Sequence, residues 1–352
     1  MSRRILSFAL FEAKSGLNKE QIKFLNKYTN GTWTYDSSTG LVDVEGHFDC
    51  SNKKLEDFVG VKFGKVTGDF YCWKNNLTNL EGAPQDVGGN FSCWYNNELT
   101  SLAGAPQKVG GDFDCNFNKL TSLEGAPQKV EGVFKCSHSN LTSLEGSPRK
   151  VVGDFDCSSN FLTSLDGAPQ EVGGDFSCSF NYLTSLEGSP QKVGGLFACG
   201  RNNLTSLVGS PQEVGNFTCY KNKLTSLEGA PQVVGGDFWC EKNNLTSLEG
   251  APQEVGGKFI CDAFRLEDGE WNLKGWLKVL QDGRPQAQKL ILTLLPAEVL
   301  NKEIQKDPTG IIMKLKKIWN DDDFRKTRSK LFWPKGYKEK ADLLGDLDDV
   351  GF

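Results

Sequence analysis

The groups in this chain with the greatest chemical potential are eleven cysteines and two histidines, and their spacing decides what they can do. Cys50, Cys72, Cys93, Cys115, Cys136, Cys157, Cys178, Cys199, Cys219, Cys240 and Cys261 recur every 20 to 22 residues. That interval is wrong for a zinc site, whose ligands come as closely spaced Cys or His pairs, and His47 and His138 stand far apart. It is equally wrong for a disulfide scaffold, a class of short chains in which cysteines pair, because eleven leaves one over. One thiol per repeat on an inward position behaves as a small hydrophobe, which predicts a reduced, packed ladder in a reducing compartment. No Ser-His-Asp arrangement is available, and the Val-Gly-Gly steps lack the Gly-Lys-Ser/Thr ending of a phosphate loop. Asp69, Asp112, Asp154, Asp175 and Asp237 share one column that could attract a cation, but Asn90, Val133, Leu196 and Asn216 interrupt it. The expectation is a protein without catalytic residues, cofactor or bound metal.

The elements that carry the cysteines are repeats. A phenylalanine stands two residues before every cysteine, from Phe48 to Phe259. In the unit that starts at Val109, Phe113 and Cys115 alternate as inward residues of a short strand, with Asp112, Asp114 and Asn116 outward. Leu120 and Leu123 turn the corner, Gly125 and Pro127 break regular structure, and Val130 begins the return. A single coil cannot bury these groups, whereas coils stacked about 4.8 Å apart bury each other's ladders. Three residues past the cysteine lies a second ladder of Asn75, Asn96, Asn118, Asn160, Asn181, Asn202, Asn222 and Asn243, broken at Ser139 and in the end coils at Lys53 and Phe264. Its expected work is to satisfy backbone groups left unpaired at the bend. The additional residue around Glu98 predicts a small bulge, and the short interval before Cys219 a tighter turn.

The order Phe-x-Cys-x-x-Asn-x-Leu-Thr-Ser-Leu-x-Gly-x-Pro-x-x-Val, over about residues 47 to 266, resembles the short bacterial leucine-rich-repeat subtype found in some secreted effectors. Phe and Cys replace that family's usual Leu and Val or Ile, and Glu-Gly-Ala-Pro replaces its proline-rich turn. The wording also resembles poorly characterised tandem-repeat proteins of bacteriophages. The resemblance implies a right-handed solenoid that binds a protein through its concave strand face.

The expected fold class is therefore an α+β repeat protein: a leucine-rich-repeat-like β-solenoid of about 21-residue coils, with a small amino-terminal cap and an all-α carboxy-terminal domain. Residues 1–46 are expected to form the cap, with an Asn18–Tyr28 helix capped by Asn18 and Gln21, stapled by Leu17 and Ile22, and stopped at Asn30-Gly31. A hairpin of Thr32–Tyr35 and Leu41–Val44 follows. Residues 47–266 make ten to eleven coils, and 267–352 read as amphipathic helices with a basic stretch around Lys314–Lys330 and an acidic tail.

A net charge of −5 gives no general attraction to nucleic acid or anionic membrane, and no run of about 18 apolar residues is present to span a bilayer. The amino terminus starts like a signal peptide at Arg3-Arg4 but lacks a cleavage site. The expected location is a reducing compartment, such as the cytoplasm of a phage-infected bacterium, or a virion. The stacked acids Glu81, Glu124, Glu145, Asp166, Glu187, Glu228 and Glu249 read as a solvated face, with turn lysines such as Lys150 and Lys192 to offset them.

Positions free of packing duty can serve for contact, and these flank each cysteine: one before, one after and two after. Tyr71, Trp73, Trp94, Tyr95 and Phe117 fall on adjacent coils as an aromatic patch. Arg201, Tyr220, Lys221, Trp239 and Lys242 form an aromatic and basic patch towards the other end, with His138 and Phe180 between. Ser137, Ser158, Ser159, Ser177 and Ser179 make the middle a small-residue trough or a spacer. Exposed Trp, Tyr and Arg are the anchors protein interfaces use, although neighbouring aromatics also cover one another across coils. The expected partner is a protein; a structural place in a particle, or glycan binding through the stacked rings, are the rival readings.

Overall fold

The computed structural model describes residues 16–245 and 250–261; the expected helical domain at 267–352, the basic stretch, the acidic tail, Phe264 and Glu249 lie outside the described residues. Helix α1 spans Lys19–Tyr28. Its start follows the sequence: Gln21 N–H donates to Asn18 Oδ1 at 2.9 Å, and Asn18 N–H donates to Gln21 Oε1 at 3.0 Å. Its end does not. Asn30-Gly31 is no helix stop, because the chain leaves the helix at Thr29 and runs directly into strand β1, Thr29–Asp36, paired antiparallel with β2, Leu41–Asp49. Gly31 instead faces Gly46 across the pair, with φ of 140° and 119°. A Cβ on Gly31 would lie 2.0 Å from Glu45 O, so two backbones this close require glycine on both sides. α1 lays Phe24 and Tyr28 against the first repeat ring, Phe48, with centroids 5.5 and 6.4 Å away.

From β2 onward the chain is a parallel β-solenoid of leucine-rich-repeat-like coils. Each coil contributes two short strands, a core strand that begins at the phenylalanine, as in Phe155–Asp156, and a return strand that ends at the valine, as in Lys150–Val151. Both align with their counterparts one coil away: Phe155 with Phe134 and Phe176, Val151 with Val130 and Val172. From the sequence the return segment at Val130 is expected only as the way back to the next strand. It is a second parallel ladder, so the backbone of each coil is tied to its neighbours on two sides.

Inside, the Phe rings stack from Phe48 to Phe259 with successive centroids 5.1 to 5.8 Å apart. Leu120, Leu123 and their equivalents are fully buried beside them. At about 1.5–3 kcal/mol for each buried large side chain, these ladders are the main source of stability. The cysteines stand as thiols, and all but Cys261 are buried.

The asparagine ladder does what the bend requires. Asn160 Nδ2 donates to Cys136 O at 3.0 Å and Cys157 O at 3.1 Å, while its Oδ1 accepts the N–H groups of Ser139 and Leu141, both at 3.1 Å. With Ser158 O also accepting from Nδ2 at 3.2 Å, one buried amide serves five backbone groups on two coils. At the interruption, Ser139 Oγ accepts the Asn118 N–H at 3.4 Å.

The two length irregularities resolve differently. The additional residue near Glu98 forms a turn that brings Leu99 N–H onto Asn96 O at 2.9 Å. Before Cys219 the single residue Gly215 stands where the other coils have two residues, often both glycine, and the return ladder divides there: Glu213–Val214 belongs to a separate three-stranded sheet, while the core ladder continues through Phe197 and Phe217.

Candidate functional site

The outward face of the core strands holds the residues with no packing duty, and a backbone feature decides which side chains it presents. Strict alternation after the cysteine would turn the second residue inward and the asparagine outward. The reverse is found, because the residue two past the cysteine is left-handed in ten successive coils: Asn52, Lys74, Tyr95, Phe117, His138, Ser159, Phe180, Arg201, Lys221 and Lys242 all have φ between 51° and 58°. This rotation turns the asparagine into the core and sends its predecessor outward. Three strand positions were expected here, but each core strand ends before the cysteine and the third position belongs to this turn. Coil-to-coil bonding persists up to it, as Phe117 N–H donates to Ser137 O at 3.0 Å, and the asparagine amide takes over beyond.

The structure assembles the first patch as a continuous chain of rings. Trp73 and Trp94 stack at 5.3 Å and 17°, Trp94 meets Tyr95 edge-on at 5.7 Å, Tyr95 meets Phe117 at 6.2 Å, and Phe117 lies flat on His138 at 4.4 Å. Tyr71 stands on the neighbouring column, in register with Asp49 and Ser92. The second patch is held by cations over rings. The Arg201 guanidinium lies 4.7 Å from Phe180 and 5.5 Å from Tyr220, and the Lys242 ammonium 5.3 Å from Tyr220. A hydrogen bond from Lys242 holds the Tyr220 phenol below its ordinary pKa. Phe180 therefore belongs with the second patch and His138 with the first. Trp239 sits half-buried on a core strand opposite Thr218 and Ile260, and Lys221 is exposed on the left-handed column.

Mutual cover explains part of this, since such ring pairs contribute about 0.5–1.5 kcal/mol each. It leaves a remainder: Tyr95 is 40%, Phe117 42% and Phe180 52% exposed. Sequence reasoning also missed a pair. Phe161 and Tyr182, one past their asparagines, stack at 6.0 Å and 9° with 47% and 52% exposure. The available signal was a large ring at a position where the other coils carry Asn or Lys. Of the middle serines, Ser137 is buried and bonded to Asn116 Oδ1 at 2.9 Å, so it is part of the frame.

The acidic column read as a possible cation trap has a structural task instead. Asp69 Oδ1 accepts the Asn90 N–H at 2.7 Å, Asn90 Oδ1 the Asp112 N–H at 2.8 Å, and Asp112 Oδ1 the Val133 N–H at 2.8 Å. Asp and Asn are interchangeable there because only an acceptor oxygen is needed. Among the described residues no group of three His, Cys, Asp or Glu side chains is placed to hold a metal, and no helix is long and apolar enough to cross a membrane. His47 meets Asp69 across adjacent coils, its Nδ1 3.0 Å from the Asp69 N–H donor. Lys150 and Lys192 pair with Glu171 at 2.8 and 3.8 Å on the return strands.

No family model matches the chain, and no curated protein matches it. Among solved structures it is similar to YopM from Yersinia enterocolitica WA-314, at 15% identity and a TM-score of 0.36, over 61% of this chain and 64% of that one. The chain thus spans less than two thirds of that protein's length.

Proposed function

We propose that this protein is a non-enzymatic recognition scaffold of the leucine-rich-repeat type, which binds a protein partner on the outward face of its core strands. One observation carries the reading: large rings occupy left-handed backbone positions and remain exposed. A left-handed residue other than glycine costs about 1–2 kcal/mol, and asparagine, as at Asn52, is the cheapest alternative. Phe117, Tyr95 and Phe180 are therefore costly for the backbone and for solvation, and the core needs none of them. Costs of this kind persist where a contact offsets them. In this reading residues 1–46 cap the first coil, 47–266 present the face and 267–352 form a helical domain.

The test is a crosslinking pull-down from host lysate with the wild type and with Trp73, Trp94 and Tyr95 all changed to alanine. Interface anchors contribute about 2 kcal/mol or more each, so the triple variant loses the partner while retaining its folded circular-dichroism spectrum. An unchanged set of partners contradicts the reading. Recovery of the chain at fixed stoichiometry in purified particles would favour a structural part, and retention on a glycan array an adhesin.

A further inference from the structure

The aromatic face carries a notch. Core-strand register places Ser92 between Tyr71 and Asp114 on adjacent coils, and this small side chain beside the Tyr71, Trp73 and Trp94 rings lines a cavity of about 200 Å³. Stacked Trp73 and Trp94 wall one flank, Asn90 and Asp112 the other, and Lys135 stands at the next coil. Two features of its lining await a ligand. Ser92 is 8% exposed and its buried hydroxyl has no hydrogen-bond partner. Asp112 and Asp114 each use one carboxylate oxygen to accept a backbone N–H, from Val133 at 2.8 Å and from Asn116 at 3.1 Å, which leaves the second oxygen of each for a ligand.

We propose that this notch is the anchor pocket for an arginine side chain of the protein partner, with the guanidinium against the indole wall and hydrogen-bonded to Asp112 and Asp114. The inference rests on the core-strand face being the binding face. Three properties of the lining select this chemistry. Indole faces attract a delocalised cation, and a planar fork of donors matches carboxylate oxygens. A neutral sugar could lie on the same rings but would leave the carboxylates without a counter-charge. Burial pushes the Asp114 carboxyl above its ordinary pKa, against the Asn116 N–H and Lys135, while Asp112 and Asp156 add to the rise, so a further cation improves its setting. Lys135 competes for the same carboxylate and must turn away as the guanidinium enters.

The experiment follows the indole N–H signals of Trp73 and Trp94 in the full-length protein by nuclear magnetic resonance, assigned with Trp73→Phe and Trp94→Phe. The probes are acetyl-Gly-Arg-Gly-amide, its neutral citrulline analogue and glucose. The arginine peptide shifts both signals saturably, and the other two probes leave them in place. Asp114→Asn weakens the peptide about tenfold or more, Ser92→Leu fills the notch and abolishes the response, and Lys135→Ala tightens binding. Signals that ignore the arginine peptide overturn the proposal, as does equal binding of the citrulline analogue, a response to glucose, or weaker binding in Lys135→Ala, which would mark an anion site. If the peptide fails while partner capture still depends on Trp73, Trp94 and Tyr95, the pocket falls and the binding face stands. If both fail, both fall.

Discussion

Raising the pH from 8 to 10 unfolds this solenoid, with a steepness set by its thiols. Nine of them, from Cys50 to Cys219 in consecutive coils, have their pKa pushed upward, chiefly by burial that penalises the thiolate. The unfolded chain ionises them near the ordinary value of about 8.5. Below that pH both states keep the protons and stability does not depend on these groups. Above it the unfolded state binds fewer protons, so stability falls as pH rises, and continues to fall up to the raised folded values. Each fully ionised thiol adds about 1.4 kcal/mol per pH unit, and nine approach about 12 kcal/mol per unit, comparable with the whole stability of a typical domain. Tyr71, also raised by burial, adds the same sign only above about pH 10. The check is thermal unfolding followed by circular dichroism from pH 7 to 10.5, with iodoacetamide labelling in parallel. The melting temperature should fall steeply above pH 9, labelling should rise in the same window, and Cys115, Cys136 and Cys157 changed together to alanine should remove about a third of the slope. A flat melting temperature to pH 10 would mean that the thiols are not a buried protonated ladder.

Asn160→Leu is expected to be strongly destabilising in the middle coils. The leucine removes partners from Cys136 O, Cys157 O, Ser139 N–H and Leu141 N–H, all of them at the bend between two coils. Cys157 O keeps the Asn181 amide at 3.1 Å, so three groups are left unpaired; at about 1–3 kcal/mol each the loss is at least about 3 kcal/mol, even though the new side chain is more hydrophobic. Ser139→Asn should act in the opposite direction. It completes the ladder where serine now accepts a single long bond, and should add about 1 kcal/mol. Chemical denaturation of both variants reads the two signs, and equal, small effects would show that the asparagines are spectators.

Much of this architecture is legible in the sequence because each interior task recurs once per coil at a fixed place. Phe113, Cys115, Asn118, Leu120 and Leu123 identify themselves by repetition, and the capping box of α1 by its Asn18 and Gln21 pair. What escaped has local geometric causes. A left-handed residue leaves no compositional mark when it is Phe117 or Lys242 rather than glycine, so the reversal of facing after each cysteine cannot be seen. Past Phe63–Val66 the return strands are two residues long, as in Lys129–Val130 where only the valine is buried, too short for a period to register. The Asp69 column looks like charge and works as a hydrogen-bond acceptor. Phe161 and Tyr182 sit in a column where the other coils carry mostly Asn or Lys, and only their proximity across one coil makes them a pair.

The claim at the centre of this account is that the core-strand face is where the partner sits. Hydrogen–deuterium exchange of the chain alone and of the chain with its captured partner measures this directly. The account predicts that added protection is confined to the core strands and the turns after them, strongest around Tyr71–Trp73, Ser92–Tyr95 and Asp114–Phe117, with the return strands at Lys108–Val109 and Lys129–Val130 unchanged. Protection on the return strands, or only within residues 262–352, would contradict it.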